Sequence, residues 1–262
     1  MSLHTTSLGD SGSLLVFCHG LFGQGRNWTG VAKALADEHR SLLVDLPHHG
    51  RSSWSDHVDY LDLADEVASV LSAEDPVTLV GHSMGGKVAM VLALRFPDLV
   101  DRLCVVDVAP VDYGASGAFS GYVEAMQGLD LEAVERRSDA DRALTEAVPD
   151  QTVRDFLLQN LRRDPSAEGG GWCWQANLAG LGEGLGEISG WPADRLEGLS
   201  PFEGPVLWVA GEESDYIQPE DHVEEMARWF PRHRRIVIKG AGHWVHSQKP
   251  EVFVEVLRRF SA

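Results

Sequence analysis

The sequence predicts an α/β fold, a mostly parallel central sheet flanked by helices and interrupted once by a helical cap insertion. Three observations predict it. Apolar strand-like runs alternate with amphipathic helical patterns in both end regions of the chain. Between residues 112 and 204 that alternation stops, and helical patterns follow one another. A serine also stands between two glycines, Gly81-His82-Ser83-Met84-Gly85, where the third apolar run gives way to a helical pattern.

Taken in order, residues 2–8 offer a short edge strand. Strand-like runs follow at Leu14–Cys18, 42–45, 77–80, 103–107, 206–210 and 235–238. Helical patterns at 27–38, 61–71, Met84–Arg95, 219–230 and 250–260 repeat apolar residues three and four positions apart, the spacing of a helix with one face on a sheet. Strands separated by helices pair in parallel, because each crossover carries the chain back over one sheet face. The expected division is a core of residues 1–111 and 205–262 with a cap of residues 112–204. Within the cap, Ser138-Asp139-Ala140-Asp141 reads as a capped helix start. Residues 150–163 read as one amphipathic helix through Val153, Phe156, Leu157 and Leu161. Glycines gather over 169–190, with Trp172, Trp174 and Trp191 in and beside them, and an irregular, apolar-lined segment is expected there.

A chain of 262 residues suits one large domain with an insertion. Its 22 basic against 40 acidic side chains leave a formal charge of -18, which repels nucleic acid and anionic membrane surfaces. Neither nucleic acid nor a stable membrane association is therefore expected. No run reaches the length of a membrane span, and residues 1–10 lack the basic and apolar regions of a secretory signal, so a cytoplasmic location is expected. Cys18 and Cys104 fall in apolar runs and Cys173 between two tryptophans, a pattern without a disulfide framework.

The turn at Ser83 has the form of a nucleophile elbow, in which small residues at Gly81 and Gly85 keep clear of neighbouring backbone while the hydroxyl is lifted above the sheet. A serine needs a base to take its proton. His243, in the glycine-rich loop Lys239-Gly240-Ala241-Gly242-His243 after the last strand-like run, is the candidate. The histidine in turn needs a carboxylate, and two compete at the carboxyl edge of the sheet: Asp107 and Asp215. An oxyanion hole needs two amides. One is that of Met84, and the other comes from the loop His19-Gly20-Leu21-Phe22-Gly23, from Leu21 or Phe22. His19 and His82 read as braces for these loops, and Lys87 as a structural or rim residue. Asp45 with His48 and His49, or His243 with His246, lacks the further ligands of a metal site. The glycines of 20–25 do not form the Gly-x-Gly-x-x-Gly of a dinucleotide site. No cofactor is required by this chemistry.

These motifs together resemble α/β-hydrolase esterases, and among them the small bacterial YbfF-type carboxylesterases. The carrying segments are His19-Gly20-Leu21-Phe22-Gly23, His49-Gly50-Arg51-Ser52, Gly81-His82-Ser83-Met84-Gly85-Gly86-Lys87, Asp107-Val108-Ala109-Pro110-Val111-Asp112-Tyr113 and Gly240-Ala241-Gly242-His243-Trp244-Val245-His246. Trp174 and Asn177 extend the match into the cap. The resemblance implies the chain order nucleophile, acid, base, with the acid on Asp107 and Ser214 as an auxiliary hydrogen-bonding group. Asp215 departs from the pattern and stands as the alternative acid. The resemblance further implies a serine carboxylesterase that hydrolyses short- to medium-chain esters of small molecules through an acyl-enzyme. The same scaffold also supports thioesterases, carbon-carbon bond hydrolases, perhydrolases, a menaquinone-pathway lyase and non-catalytic ligand receptors.

Overall fold

The computed structural model describes residues 2–114, 117–164 and 170–262. The strands β1 (His4–Leu8), β2 (Leu14–Cys18), β3 (Arg40–Asp45), β4 (Val77–His82), β5 (Val100–Val106), β8 (Val206–Gly211) and β9 (His233–Ile238) form one sheet in the order β1-β3-β2-β4-β5-β8-β9. β1 pairs antiparallel with β3, and every other neighbour is parallel. The apolar runs have the composition they do because both faces are covered. In β2, Leu15 and Phe17 face one core while Val16 and Cys18 face the other, and β5 and β8 alternate in the same way.

One face carries α2 (Tyr60–Ala68), α3 (Met84–Arg95) and α10 (Pro219–Trp229); the other carries α1 (Thr29–Leu35), α11 (Val245–Gln248) and α12 (Pro250–Ser261). α2 starts cleanly because the Asp59 carboxylate accepts the amides of Leu61 and Asp62 at 2.9 and 3.1 Å. The chain leaves β2 toward β3 on one side and returns to β4 on the other side of β2. The carboxyl ends of β2 and β4 are therefore the switch point where open α/β sheets form a crevice.

Between β5 and β8 lie α4 (Gly117–Gln127), α5 (Arg137–Leu144), α6 (Gln151–Leu158), β6 (Leu161–Arg163), β7 (Trp172–Trp174), α7 (Leu178–Glu183), α8 (Leu185–Ser189) and α9 (Ala193–Leu196). Three sequence expectations are corrected here. The helix expected over 150–163 ends at Leu158, and Leu161–Arg163 instead pairs antiparallel with Trp172–Trp174. Three-residue strands are too short to show a period-2 pattern. The glycine-rich stretch is not irregular through its second half but forms α7 and α8, with Asn177 capping the first through its bond to the Gly180 amide at 3.1 Å. Residue 169 of that stretch lies outside the described residues. The helix expected to start at Ser138 begins at Arg137, where the Asp139 carboxylate accepts the Arg136 amide.

The insertion is tied to the sheet region by named bonds. Lys87 of α3, fully buried, donates to the carbonyls of Ser189 and Gly190, and Tyr60 donates to Ile188 at 2.7 Å. Asn177 donates its side-chain amide to His48 Nδ1 at 3.0 Å and its backbone amide to the His48 carbonyl at 2.9 Å. Asp59 pairs with Arg195.

Candidate active site

β4 ends at His82, and α3 begins at Met84, leaving Ser83 alone to turn the chain. It does so at φ 52° and ψ -121°, in the left-handed half of conformational space. Its amide donates to the Val106 carbonyl at 3.0 Å, and its carbonyl accepts from Gly86 at 2.8 Å. The glycine spacing has the expected steric cause: a side chain at Gly81 would meet the Gly85 carbonyl, and one at Gly85 would meet the carbonyls of His19 and Cys18.

Asp107 follows β5 directly, has φ 53° and is wholly buried. Its Oδ2 lies 2.8 Å from His243 Nδ1 and also accepts from the Ser214 hydroxyl, while its Oδ1 accepts the Gly211 amide at 3.0 Å. A carboxylate only accepts, so His243 holds its proton on Nδ1 and presents the Nε2 lone pair. His243 and Ser83 line the same cavity. Tyr216 stacks on the His243 ring, with centroids 4.0 Å apart and planes 22° apart. Asp215 is exposed, and its carbonyl accepts from the Gln218 side chain at 2.9 Å. The structure thus brings Ser83, His243, Asp107 and Ser214 together and leaves the Asp215 side chain outside that group.

The loop after β2 carries the candidate oxyanion-hole amides of Leu21 and Phe22. Phe22 N–H donates to His49 Nε2 at 3.1 Å, and His49 is fixed as an acceptor there because its Nδ1–H donates to the Pro47 carbonyl at 3.0 Å. Phe22 therefore has its amide engaged. Leu21 and Met84 have amides with no acceptor among the described residues. Gly20 must be small, because a Cβ there would come within 2.9 Å of the His82 ring and 3.2 Å of Ser83 Cβ. His19 braces the same loop, donating to the Gly20 carbonyl at 2.8 Å and accepting the Leu46 amide at 3.0 Å. His82 donates to the His243 carbonyl at 2.9 Å. Burial pushes His19 down to about 4 and His49 to about 3, and holds His82 well below the ordinary range, so all three stay neutral braces near pH 7.

Two narrow cavities meet at Leu21, Ser83 and Phe119. The first, about 20 Å³, is walled by Tyr122, Val153, Phe156, Leu157 and Trp244. The second, about 40 Å³, runs toward Lys87, Tyr113, Ile188 and Tyr216. Each holds little more than one or two water-sized volumes. Asp45, His48 and His49 do not converge: Asp45 accepts the amides of Gly25 and Arg51 at 2.7 and 2.9 Å, and the two histidines hydrogen-bond to other groups. Sequence reasoning missed Tyr216, the His49 bond to Phe22 and the role of Gln24 and Asn160. Asn160 donates to the Phe22 carbonyl at 2.8 Å and accepts from Gln24 at 2.9 Å. None of these has a local sequence signal, since each depends on a contact across the fold.

Residues 13–250 match the family described as alpha/beta hydrolase fold. The chain is 38% identical over 256 residues to the sn-1-specific diacylglycerol lipase of Mus musculus, covering 95% of this chain and 80% of that protein. Esterase YbfF of Escherichia coli is 31% identical over 250 residues, covering 95% and 92% respectively. Among solved structures, a marine microorganism esterase superposes with a TM-score of 0.91 at 31% identity, covering 98% of each chain.

Proposed function

The chain belongs to the alpha/beta hydrolase fold family and is an ester-hydrolysing enzyme, and we propose that it is a serine carboxylesterase working through an acyl-enzyme. The observation that carries this reading is the 2.8 Å bond from His243 Nδ1 to buried Asp107, which leaves Nε2 free as a base in the cavity that Ser83 lines. Ser83 Oγ attacks the acyl carbonyl as His243 takes its proton. The oxyanion accepts from the Leu21 and Met84 amides, which have no acceptor among the described residues to give up. His243 then protonates the leaving alcohol, and water repeats the cycle on the acyl group. Asp107 keeps the ring in the required tautomer, and Ser214 holds the carboxylate. No step calls for a cofactor. The three unbridged cysteines suit a reducing compartment such as the cytoplasm.

The insertion serves as a cap in this proposal, and its Phe119, Tyr122, Val153, Phe156 and Leu157 form the acyl wall. Cavities this small accept an acyl chain only if the cap shifts. Short- to medium-chain esters need the smallest shift. The name carried by the mouse relative favours a second reading, hydrolysis of acylglycerols. Rates on p-nitrophenyl acetate, butyrate, octanoate and palmitate, measured beside a diacylglycerol, test both. The first reading expects the highest kcat/KM among the shorter esters, with Ser83→Ala losing turnover by about 10⁶-fold. Hydrolysis retained by Ser83→Ala rejects the mechanism, and a preference for diacylglycerol transfers the substrate to the second reading.

A further inference from the structure

Away from Ser83, where the loop after β2 and the turn after β3 meet the β6–β7 pair, a polar cavity of about 180 Å³ is lined by Arg26, Arg51 and Arg162 together with Gln24, Gln175 and Asp45. That is room for several waters or for a tetrahedral oxyanion. Arg40, Arg95, Arg154, Arg195 and Arg258 each pair with a carboxylate. Arg26, Arg51 and Arg162 have none within salt-bridge distance among the described residues. Arg26 donates to the Gln159 carbonyl at 3.1 Å, and Arg162 Nε donates to Gln175 at 3.1 Å. The terminal nitrogens of Arg162 and the whole Arg51 guanidinium have no partner among those residues. The one carboxylate among the described lining residues, Asp45, has both oxygens occupied by backbone amides.

The three cations also repel one another. Burial, then Arg137 and Arg51, lowers the Arg26 pKa against the pull of Asp45, and burial with Arg26, Arg137 and Arg51 lowers that of Arg162. Arg26 and Arg51 are exposed and Arg162 is half-buried, so the hollow is open to solvent, and an anion bound there would offset the mutual repulsion of the guanidiniums. A carboxylate satisfies one planar fork, whereas a phosphoryl group offers three oxygens and up to two charges to several forks at once. We propose that Arg26, Arg51 and Arg162 form a binding site for a phosphoryl group, carried either by free phosphate or by a small phosphomonoester. Arg26 and Arg51 belong to the sheet region and Arg162 to the insertion, so the bound anion ties the two together. Gln24 joins that wall to Asn160 and the Phe22 carbonyl, beside the candidate oxyanion amides.

The test is titration of the full chain with inorganic phosphate and, separately, glycerol phosphate at constant ionic strength, followed by calorimetry and by amide chemical shifts. Saturable binding is expected, with shifts at Gly25, Arg51 and Gln175, and the tighter of the two probes identifies the source. Arg51→Gln and Arg162→Gln should each weaken binding roughly tenfold or more. Arg234→Gln serves as the control, since it lies in a different arginine-lined depression, at the starts of β8 and β9. Absence of saturable binding by the wild type overturns the proposal, as do shifts that map elsewhere or equal affinity in the Arg51 and Arg162 variants. The shift map stands on the wild type alone, so misfolding of a variant does not remove the test.

Discussion

Phe22, His48, Ser83 and Asp107 are the non-glycine residues with positive φ among those described, at 60°, 68°, 52° and 53°. Each such residue costs about 1–3 kcal/mol and persists only where its surroundings over-determine it. At Asp107 the surroundings are explicit: its amide donates to Val209 at 2.9 Å, and its carboxylate takes His243, Ser214 and Gly211. The proposed mechanism makes a sharp prediction here. Asp107→Asn can keep the Gly211 bond through its oxygen, but it then turns a donor toward His243 Nδ1 and forces the wrong tautomer. Turnover should fall roughly 10⁴-fold with little change in fold, while Asp215→Asn should stay within a small factor in the same assay. The glycines around Ser83 and His243 made the candidate nucleophile and base legible, because steric demand at an elbow leaves a local signature. The choice between Asp107 and Asp215 was not legible by spacing alone, since both follow strands at the same sheet edge and only the packed structure tells which carboxylate faces inward.

Among elements, the inner sheet strands were readable because burial on both faces demands unbroken apolar runs, and α3 matched its expected bounds because its whole circumference is buried. The insertion was less readable. β6 and β7 are three residues each, and α7 and α8 are short helices whose glycines depress local propensity, so tertiary contacts supply their stability. Lys87 is one of those contacts. Burial pushes it from 10.5 down to about 7, with Asp112 opposing, while its ammonium donates to the Ser189 and Gly190 carbonyls. Between those values the unfolded chain holds the proton and the folded lysine sheds it, so the lysine makes stability rise as pH increases from about 7 toward 10.5. Lys87→Met leaves two carbonyls without their donor, at a cost of about 1–3 kcal/mol at pH 7. Urea midpoints measured between pH 7 and 10 should rise less steeply in Lys87→Met than in the wild type, and parallel profiles would refute this account of the lysine.

At the scale of the whole molecule, the same burial that braces the site makes the protein sensitive to acid. His19, His49 and His246 are pushed from 6.5 to about 4, 3 and 3, chiefly by burial. The unfolded chain binds those protons below about 6.5 while the folded one does not. Stability is therefore full above that pH and lost as pH falls, by about 1.4 kcal/mol per unit for each histidine until its folded pKa is reached. His246 stacks on Trp28 at 4.1 Å, and its Nδ1 has no partner among the described residues. Replacing it with Phe keeps the stack and removes one titrating group, so denaturation midpoints of His246→Phe should decline less between pH 6.5 and 4. A decline as steep as the wild type's would show that His246 does not titrate as described.

The fold's largest consequence is that residues far apart in sequence, from the ends of β2, β4, β5 and β9, gather at one sheet edge around Ser83. Whether that gathering activates the serine is tested most directly by treating the folded protein with a fluorophosphonate and locating the adduct by mass spectrometry. The account predicts one adduct, on Ser83, formed rapidly by the native protein and slowed by orders of magnitude in His243→Ala. A folded protein left unlabelled, or labelled on a different serine, would contradict it.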